Sequence, residues 1–250
     1  MAKKKKILLL SDDLRMSSGI ATMSKALVMG TVDKYDWFQI GAAINHPDKG
    51  KVLDLSDDTR KRTGIEDASV KIIPWNGYGN ADLLRQVMNQ EKPDAILHFT
   101  DPRYWTWLYD MEHEIRENCP ILYYTIWDDL PDPLYNRDYY ESCDWLGAIS
   151  RQTYGIVSRL TSLDDKPTYK PHSDWQVSYV PHGINQNEFK PTEVPAEFRK
   201  QILADNDYDF IFFWMNRNIR RKQPSDVIMG FKGFCDKIGK EKAKKVALVM

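Results

Sequence analysis

The sequence lacks the features that define membrane, disulfide-rich and metal-binding proteins. Its 250 residues include only three cysteines, Cys119, Cys143 and Cys235, without paired spacing, which argues against a disulfide framework or a cysteine metal cluster. No apolar run reaches the about 20 residues of a membrane-spanning helix, and no segment has the form of a signal peptide. These absences predict a cytoplasmic protein with no metal site.

Net charge is also nearly absent. The 35 Lys and Arg against 36 Asp and Glu leave a formal charge of −1, so we expect no broad binding to nucleic acid. The lysines at 3–6 favour a solubilising terminus and allow at most peripheral contact with an anionic membrane. The oligomeric state is not predicted.

Short apolar runs alternate with helical patterns along the chain. Nine strands are predicted, at Lys6–Leu10, Trp37–Ile44, Val70–Pro74, Ala95–Phe99, Ile121–Trp127, Trp145–Ile149, Gln176–Val180, Phe210–Met215 and Val246–Met250. This alternation predicts an α/β fold with an open, doubly wound, mostly parallel sheet. Residues 46–64 are polar and charged without periodicity and are predicted to be an exposed connection, and residues 191–207, with two prolines and mixed charge, are predicted to be an interdomain link. The expected domains are therefore 1–205 and 206–250, the second being the beginning of another Rossmann-like unit.

A cationic loop follows the predicted strand Phe210–Met215, which we expect to be buried. Its cations are Arg217, Arg220, Arg221 and Lys222. Pro224 suits the first turn of a helix with an apolar face of Val227, Ile228 and Phe231. A strand, a cationic loop and a helix N-terminus together predict an anion site, which we interpret as the seat of a diphosphate. A solvated basic turn explains the same residues equally well.

Further candidate residues follow other predicted strands. Ser18 and Gly19 begin a helix after the first strand, either as a close-approach loop for a ligand or as a plain cap. His98 ends a strand, as a structural histidine or a ligand contact. Asp128 and Asp129 bind sugar hydroxyls, act in proton transfer, or cap a loop.

Aromatic residues crowd the helix predicted after Asp101. They are Tyr104, Trp105, Trp107 and Tyr109. Core packing is the favoured interpretation, with one ring as a stacking platform for a sugar as the alternative.

Four segments together resemble the GT-B glycosyltransferases, especially the retaining family 4. YVPHGINQNEFKP resembles the segment before the second domain of that family, and FFWMNRNIRRK resembles its strand with a Gly-Arg and a Lys. SSGIATMSKAL is similar to its first glycine-rich loop, and DWLGAISRQTYGIV to its strand ending in Ser. Asn185, Asn216 and Gln223 stand where the family has Asp, Gly and Gly.

The resemblance implies transfer of a sugar from a nucleoside diphosphate sugar to a glycan, lipid or protein acceptor. It implies that the reaction is retaining, metal-independent and without a further cofactor. Arg217 and Lys222 are then the donor diphosphate cations, and Ser18 and Gly19 lie near the phosphates or acceptor. Asp128 is the catalytic-site residue expected to contact the acceptor or the transferred sugar, and it is not expected to act as a nucleophile.

The same resemblance makes His98, Asp129 and His182 possible sugar contacts. The acidic pair of the family is expected beyond Met250, so the chain is expected to be C-terminally incomplete. A nucleotide-sugar 2-epimerase and a non-catalytic binding fragment are the alternatives.

Overall fold

The computed structural model describes residues 3–163, 165, 171–203 and 206–250. Contacts between Cα atoms divide the chain into two compact units, Met1–Gly183 and Ile184–Met250. Residues 184–203, assigned from the sequence to the first domain, therefore belong to the second of these units. The acceptor-side and donor-side roles of the two domains stay predictions.

The first unit is built on one eight-stranded sheet. Its strands are β1 Lys5–Asp12, β2 Tyr35–Ala42, β3 Leu53–Asp54, β4 Val70–Pro74, β5 Ala95–Phe99, β6 Ile121–Thr125, β7 Trp145–Ala148 and β8 Val177–Tyr179. They lie in the order β3-β4-β2-β1-β5-β6-β7-β8, and all neighbours are parallel except β3 and β4. The chain moves outward from β1 in both directions, so a topological switch point lies beside β1, where such sheets bind ligands at their carboxyl ends.

Helices cover both faces of this sheet. They are α1 Gly19–Met29, α2 Ser56–Thr63, α3 Ala81–Glu91, α4 Thr106–Asp110, α5 Glu112–Arg116, α6 Arg137–Glu141 and α7 Arg151–Thr161. Helices α3 to α7 enclose a core that includes Trp105 and Tyr123. Helix α1 covers the opposite core, which includes Leu9 and Phe99. The doubly wound arrangement predicted from the alternating pattern is confirmed.

Strands β4 and β5 have the predicted bounds. The polar segment 46–64, which precedes β4, differs from its prediction. Residues 46–64 contain β3 and helix α2 rather than an exposed connection. Helix α2 has almost no apolar face, so periodicity could not reveal it. Asp57 and Asp58 in its first turn complement the helix dipole, and Gly64 ends it in the left-handed conformation.

The N-terminal lysines are tied to the first unit. Lys4 pairs with Asp67, Lys5 with Asp94 and Lys6 with Glu91, each at 2.7 Å. Lys5 and Lys6 also belong to β1. Within the residues that the structure describes, no helix has the length and apolar character to cross a membrane.

The second unit is a small β-α-β arrangement. It contains α8 Ala196–Leu203, β9 Phe210–Phe213, α9 Pro224–Ile238, α10 Lys240–Ala243 and β10 Val246–Val249. Strands β9 and β10 pair in parallel. The link predicted for 191–207 thus includes a helix, α8, which the sequence interpretation missed.

The prediction that β9 is buried is wrong. Phe212 packs on Phe231 and Phe234 of α9, with ring centroids 5.8 and 5.3 Å apart, but Phe213 is 69% exposed. Within the described residues β9 pairs with β10 alone, and within the second unit its aromatic side chains pack on one helix, α9. Ile228, expected on the apolar face of α9, is also exposed.

Candidate functional site

Ser18 and Gly19 lie where β1 passes into α1. The Ser18 hydroxyl accepts from the Ala21 N–H (3.0 Å) and donates to Asp12 Oδ2 (2.7 Å). It is therefore an N-cap that also holds a carboxylate. Gly19 is exposed, and a Cβ there would meet nothing within 4 Å, so space remains for a ligand beside the helix N-terminus.

An ion pair between the buried Asp13 and the partly exposed Arg15 braces the same loop and was missed from the sequence. The Asp13 carboxylate accepts from Arg15 Nε (2.9 Å) and Nη2 (2.7 Å). A Cβ on Gly41 would come within 2.7 Å of Asp13 Oδ2, so glycine at the end of β2 makes room for this carboxylate. Only the tertiary structure brings Gly41 to Asp13.

Asp128 and Asp129 follow β6 on an exposed loop that is held through its backbone. Thr153 Oγ1 donates to the Trp127 carbonyl (2.7 Å), and Gln152 Nε2 donates to the Asp128 carbonyl (3.1 Å). The Asp129 carboxylate accepts from the N–H of the next residue (2.9 Å). Among the described residues, the Asp128 carboxylate has no hydrogen-bond or ion-pair partner, so it is free to accept from a ligand.

His98 is a core residue in this structure. It is fully buried, its Nδ1 lies 2.6 Å from the Tyr109 hydroxyl, and its ring stacks on Tyr123 with centroids 4.8 Å apart. Burial lowers its pKa to about 3, so the imidazole is neutral. The side chain is not accessible for the sugar contact suggested by the resemblance, and its contacts match the structural alternative.

His182 follows β8 and lies against aromatic residues of the sheet. Its ring meets Phe99 and Tyr124 edge-on, with centroids 5.8 and 5.5 Å away, and partial burial lowers its pKa. The Tyr124 hydroxyl donates to the Val180 carbonyl at 2.7 Å. These contacts fix the segment and leave His182 partly accessible.

An aromatic and charged cluster occupies the carboxyl edge of the sheet. Tyr104 is 57% exposed and stacks on Tyr78 with centroids 4.7 Å apart. Arg103 lies over the Trp127 ring, 5.4 Å from its centroid, and its Nη2 pairs with Asp101 Oδ2 at 2.5 Å. The residues follow β4, β5 and β6, so sequence spacing gave no signal that they meet.

The other aromatic residues near Tyr104 pack into the core, as the favoured interpretation expected. Trp105 is fully buried and Tyr109 nearly so, while Trp107 packs against the core partly buried. The exposed Tyr104 is the exception.

The cationic loop lies between β9 and α9 in the second unit. Arg220–Lys222 form a 3-10 turn, Gln223 is left-handed at φ 48°, and Pro224 begins α9 as predicted. Arg217 is exposed and Lys222 half-buried. In the part of the chain that the structure describes, no carboxylate pairs with Arg217, Arg220, Arg221 or Lys222.

An open pocket of about 450 Å³ adjoins this loop. Its lining is Asn218, Ile219, Arg220, Gln223, Pro224, Ser225 and Asp226. Asp226 in the first turn of α9 partly occupies the favourable field of the helix N-terminus. Of the four cations of the loop, Arg220 lines this pocket, so an anion there would be bound mainly by its guanidinium rather than by the helix N-terminus. The described residues include no group of three or more His, Cys, Asp or Glu that could hold a metal ion.

Known proteins resemble this chain in structure but not in sequence. No protein-family model matches it, and no curated protein does. Solved structures that match include trehalose-6-phosphate from E. coli bound with UDP-2-fluoro glucose (TM-score 0.62, 14% identity). Others are alpha,alpha-trehalose 6-phosphate synthase from Burkholderia multivorans (0.57, 13%) and HepE of Anabaena in complex with UDP and glucose (0.55, 11%).

Each match covers 98% of this chain but 64%, 62% and 60% of the respective neighbours. The chain thus spans less than two thirds of their length. At these identities the likeness defines the fold: α/β and GT-B-like, with a Rossmann-like first unit and a smaller β-α-β second unit. The predicted fold class is confirmed.

Proposed function

We propose that the chain is part of a glycosyltransferase that transfers a sugar from a nucleoside diphosphate sugar to an acceptor. The observation that carries this proposal is the cationic loop of the second unit. Four cations without carboxylate partners among the described residues adjoin the start of a helix, in a chain of GT-B-like fold. The fold neighbours from E. coli and Anabaena, which bind UDP-2-fluoro glucose and UDP with glucose, support the same donor class.

The proposed chemistry follows from charge. When the sugar leaves, negative charge develops on the diphosphate, and a cation already in place stabilises it most. Arg217 offers a planar fork for two phosphate oxygens, whereas Lys222 supplies a mobile point charge. We propose that these two side chains perform this role without a metal and that the anomeric configuration is retained.

The first unit is proposed to bind the acceptor. Asp128 presents a free carboxylate on a loop whose backbone is fixed, which suits it to orient a sugar or acceptor hydroxyl. Gly19 leaves open space beside the N-terminus of α1, where an anionic or polar group is favoured. Ser18 is proposed to act indirectly, because its hydroxyl already caps α1 and holds Asp12.

Replacement of Arg217 tests the proposal. We expect Arg217→Ala to lower turnover of UDP-glucose about a hundredfold and to weaken UDP binding about tenfold or more. Turnover is measured as release of UDP, and binding by titration calorimetry on the 250-residue chain. Lys237→Ala is the matched control, because Lys237 is an exposed cation at the far end of α9.

Equal UDP binding by Arg217→Ala, Lys237→Ala and the unchanged chain would contradict the donor site. Incubation of UDP-glucose without acceptor provides a second arm. If the product is an epimer of the donor, the activity is epimerisation rather than sugar transfer.

A further inference from the structure

We propose that the stacked pair Tyr78 and Tyr104 forms a platform for a pyranose ring, flanked by Asp101, Arg103 and Trp127. The inference rests on the proposed function only in giving the bound sugar the role of acceptor. It narrows the acceptor from a glycan, lipid or protein to a carbohydrate.

The core packs against the Tyr78 side of the platform, and the Tyr104 side is exposed. Tyr78 meets the buried Trp105 edge-on, with centroids 5.9 Å apart. Tyr104 stacks on Tyr78 with an interplanar angle of 11°, yet it remains 57% exposed. Since Tyr78 covers one face of the Tyr104 ring, the exposure belongs to its opposite face and edge. A flat apolar face held in place by the core matches the C–H face of a pyranose.

Asp101 and Arg103, which come just before Tyr104 in the chain, form an ion pair. Asp101 holds Arg103 through Nε (2.9 Å) and Nη2 (2.5 Å), which orients the guanidinium over Trp127. Burial raises the pKa of Tyr78, and the negative charges of Asp12 and Asp101 raise it further.

The groups of a sugar match the exposed tyrosine ring and the charged side chains near it. A sugar combines an apolar ring face with hydroxyl groups that both donate and accept hydrogen bonds, and carboxylates and guanidinium N–H groups complement those hydroxyls. A lipid chain or apolar peptide would instead take the Asp101–Arg103 ion pair out of water without offering it any hydrogen bond, which is unfavourable. The chemistry therefore favours a carbohydrate over an apolar ligand.

The position in the fold supports a ligand site. Tyr78 follows β4, Tyr104 follows β5 and Trp127 follows β6. All three lie past the carboxyl ends of parallel strands, the edge at which open α/β sheets bind ligands. The buried core beneath β5 does not require an exposed Tyr104, so packing leaves this side chain unexplained.

Saturation-transfer NMR on the 250-residue chain tests the platform. The probes are the methyl α-pyranosides of glucose, galactose and mannose, with cyclohexanol as an apolar ring of similar size. We expect transfer to the C–H protons of at least one glycoside. Tyr104→Ala should weaken that binding about tenfold, and Tyr104→Phe should retain it because the ring remains.

The matched control is Trp175→Ala, since Trp175 is 70% exposed in the same unit and should leave binding unchanged. The proposal is overturned if no glycoside receives saturation or if Tyr104→Ala binds the glycosides as the unchanged chain does. Cyclohexanol bound as tightly as the glycosides, and lost in Tyr104→Ala, would show an apolar site and overturn it as well.

UDP in the same samples separates this proposal from the transferase. We expect Tyr104→Ala to leave UDP binding intact and Arg217→Ala to leave glycoside binding intact. Glycoside binding without UDP binding would keep the platform and refute the donor site. UDP binding without glycoside binding would keep the donor site and refute the platform.

Discussion

Phe99 and Phe213 each end a short apolar strand, yet Phe99 is fully buried and Phe213 is 69% exposed. Strand β5 lies between β1 and β6 with helices on both faces of the sheet. Strand β9 pairs with β10 and has α9 on one face. The same local pattern therefore has two outcomes, because burial depends on the layers around a strand rather than on the strand itself.

The two units also differ in how they hold their candidate sites. At the edge of the eight-stranded sheet, Asp101, Arg103 and Trp127 are fixed by contacts with one another and with the core. The cations of the second unit stand on an exposed loop without carboxylate partners among the described residues. The first arrangement suits recognition of shape, and the second suits binding of an anion.

The largest expected effect concerns the two phenylalanines. Phe99→Ala should lower the free energy of unfolding of the first unit by about 3–5 kcal/mol, because it leaves a cavity in the core. Phe213→Ala should change stability by no more than about 0.5 kcal/mol. Urea unfolding followed by circular dichroism and tryptophan fluorescence measures both. If both variants lose the same free energy of unfolding, Phe213 is buried in the protein and the two strands do not differ in burial.

A pH effect should be confined to the first unit. All five histidines lie before residue 184, and burial lowers the pKa of His98 to about 3. Between pH 7 and pH 5 the unfolded chain takes up a proton at His98 that the folded chain does not. Stability is therefore lost as the pH falls, by about 2 kcal/mol from this residue.

His98→Phe isolates that contribution. The variant keeps an aromatic ring against Tyr123 but cannot titrate, so its stability should fall by about 2 kcal/mol less than that of the unchanged chain between the two pH values. Free energies of unfolding at pH 7 and pH 5 for both proteins provide the measurement. Parallel pH dependence would contradict the depressed pKa of His98.

The smallest expected effect compares two left-handed residues, one in each unit. Lys92 ends α3 and Gln223 precedes α9, both with φ 48°. Lys92→Gly and Gln223→Gly should each stabilise their unit by about 0.5–1 kcal/mol, because glycine adopts this conformation without a Cβ clash. Thermal unfolding monitored by circular dichroism tests both, and a loss of stability in either variant would show that its side chain makes a compensating contact.

Local signals in the sequence were sufficient for much of the fold. Alternating strand and helix patterns predicted a doubly wound sheet, and β4 and β5 have the predicted bounds. Ser18 caps α1 through its hydroxyl, which matches the plain helix cap offered for it from the sequence. Helix α2 was missed because its sequence has no apolar face, and α8 was missed because the prolines and mixed charge around it were interpreted as an interdomain link.

The sequence by itself determined the order of elements, the doubly wound class and the cluster of cations before α9, because each depends on neighbouring residues. The tertiary structure alone decided that His98 is a neutral core residue, that β9 is exposed, and that Tyr78, Tyr104 and Trp127 share one edge of the sheet. Burial and long-range proximity depend on which elements pack together. The local sequence of a strand does not indicate which elements will pack against it.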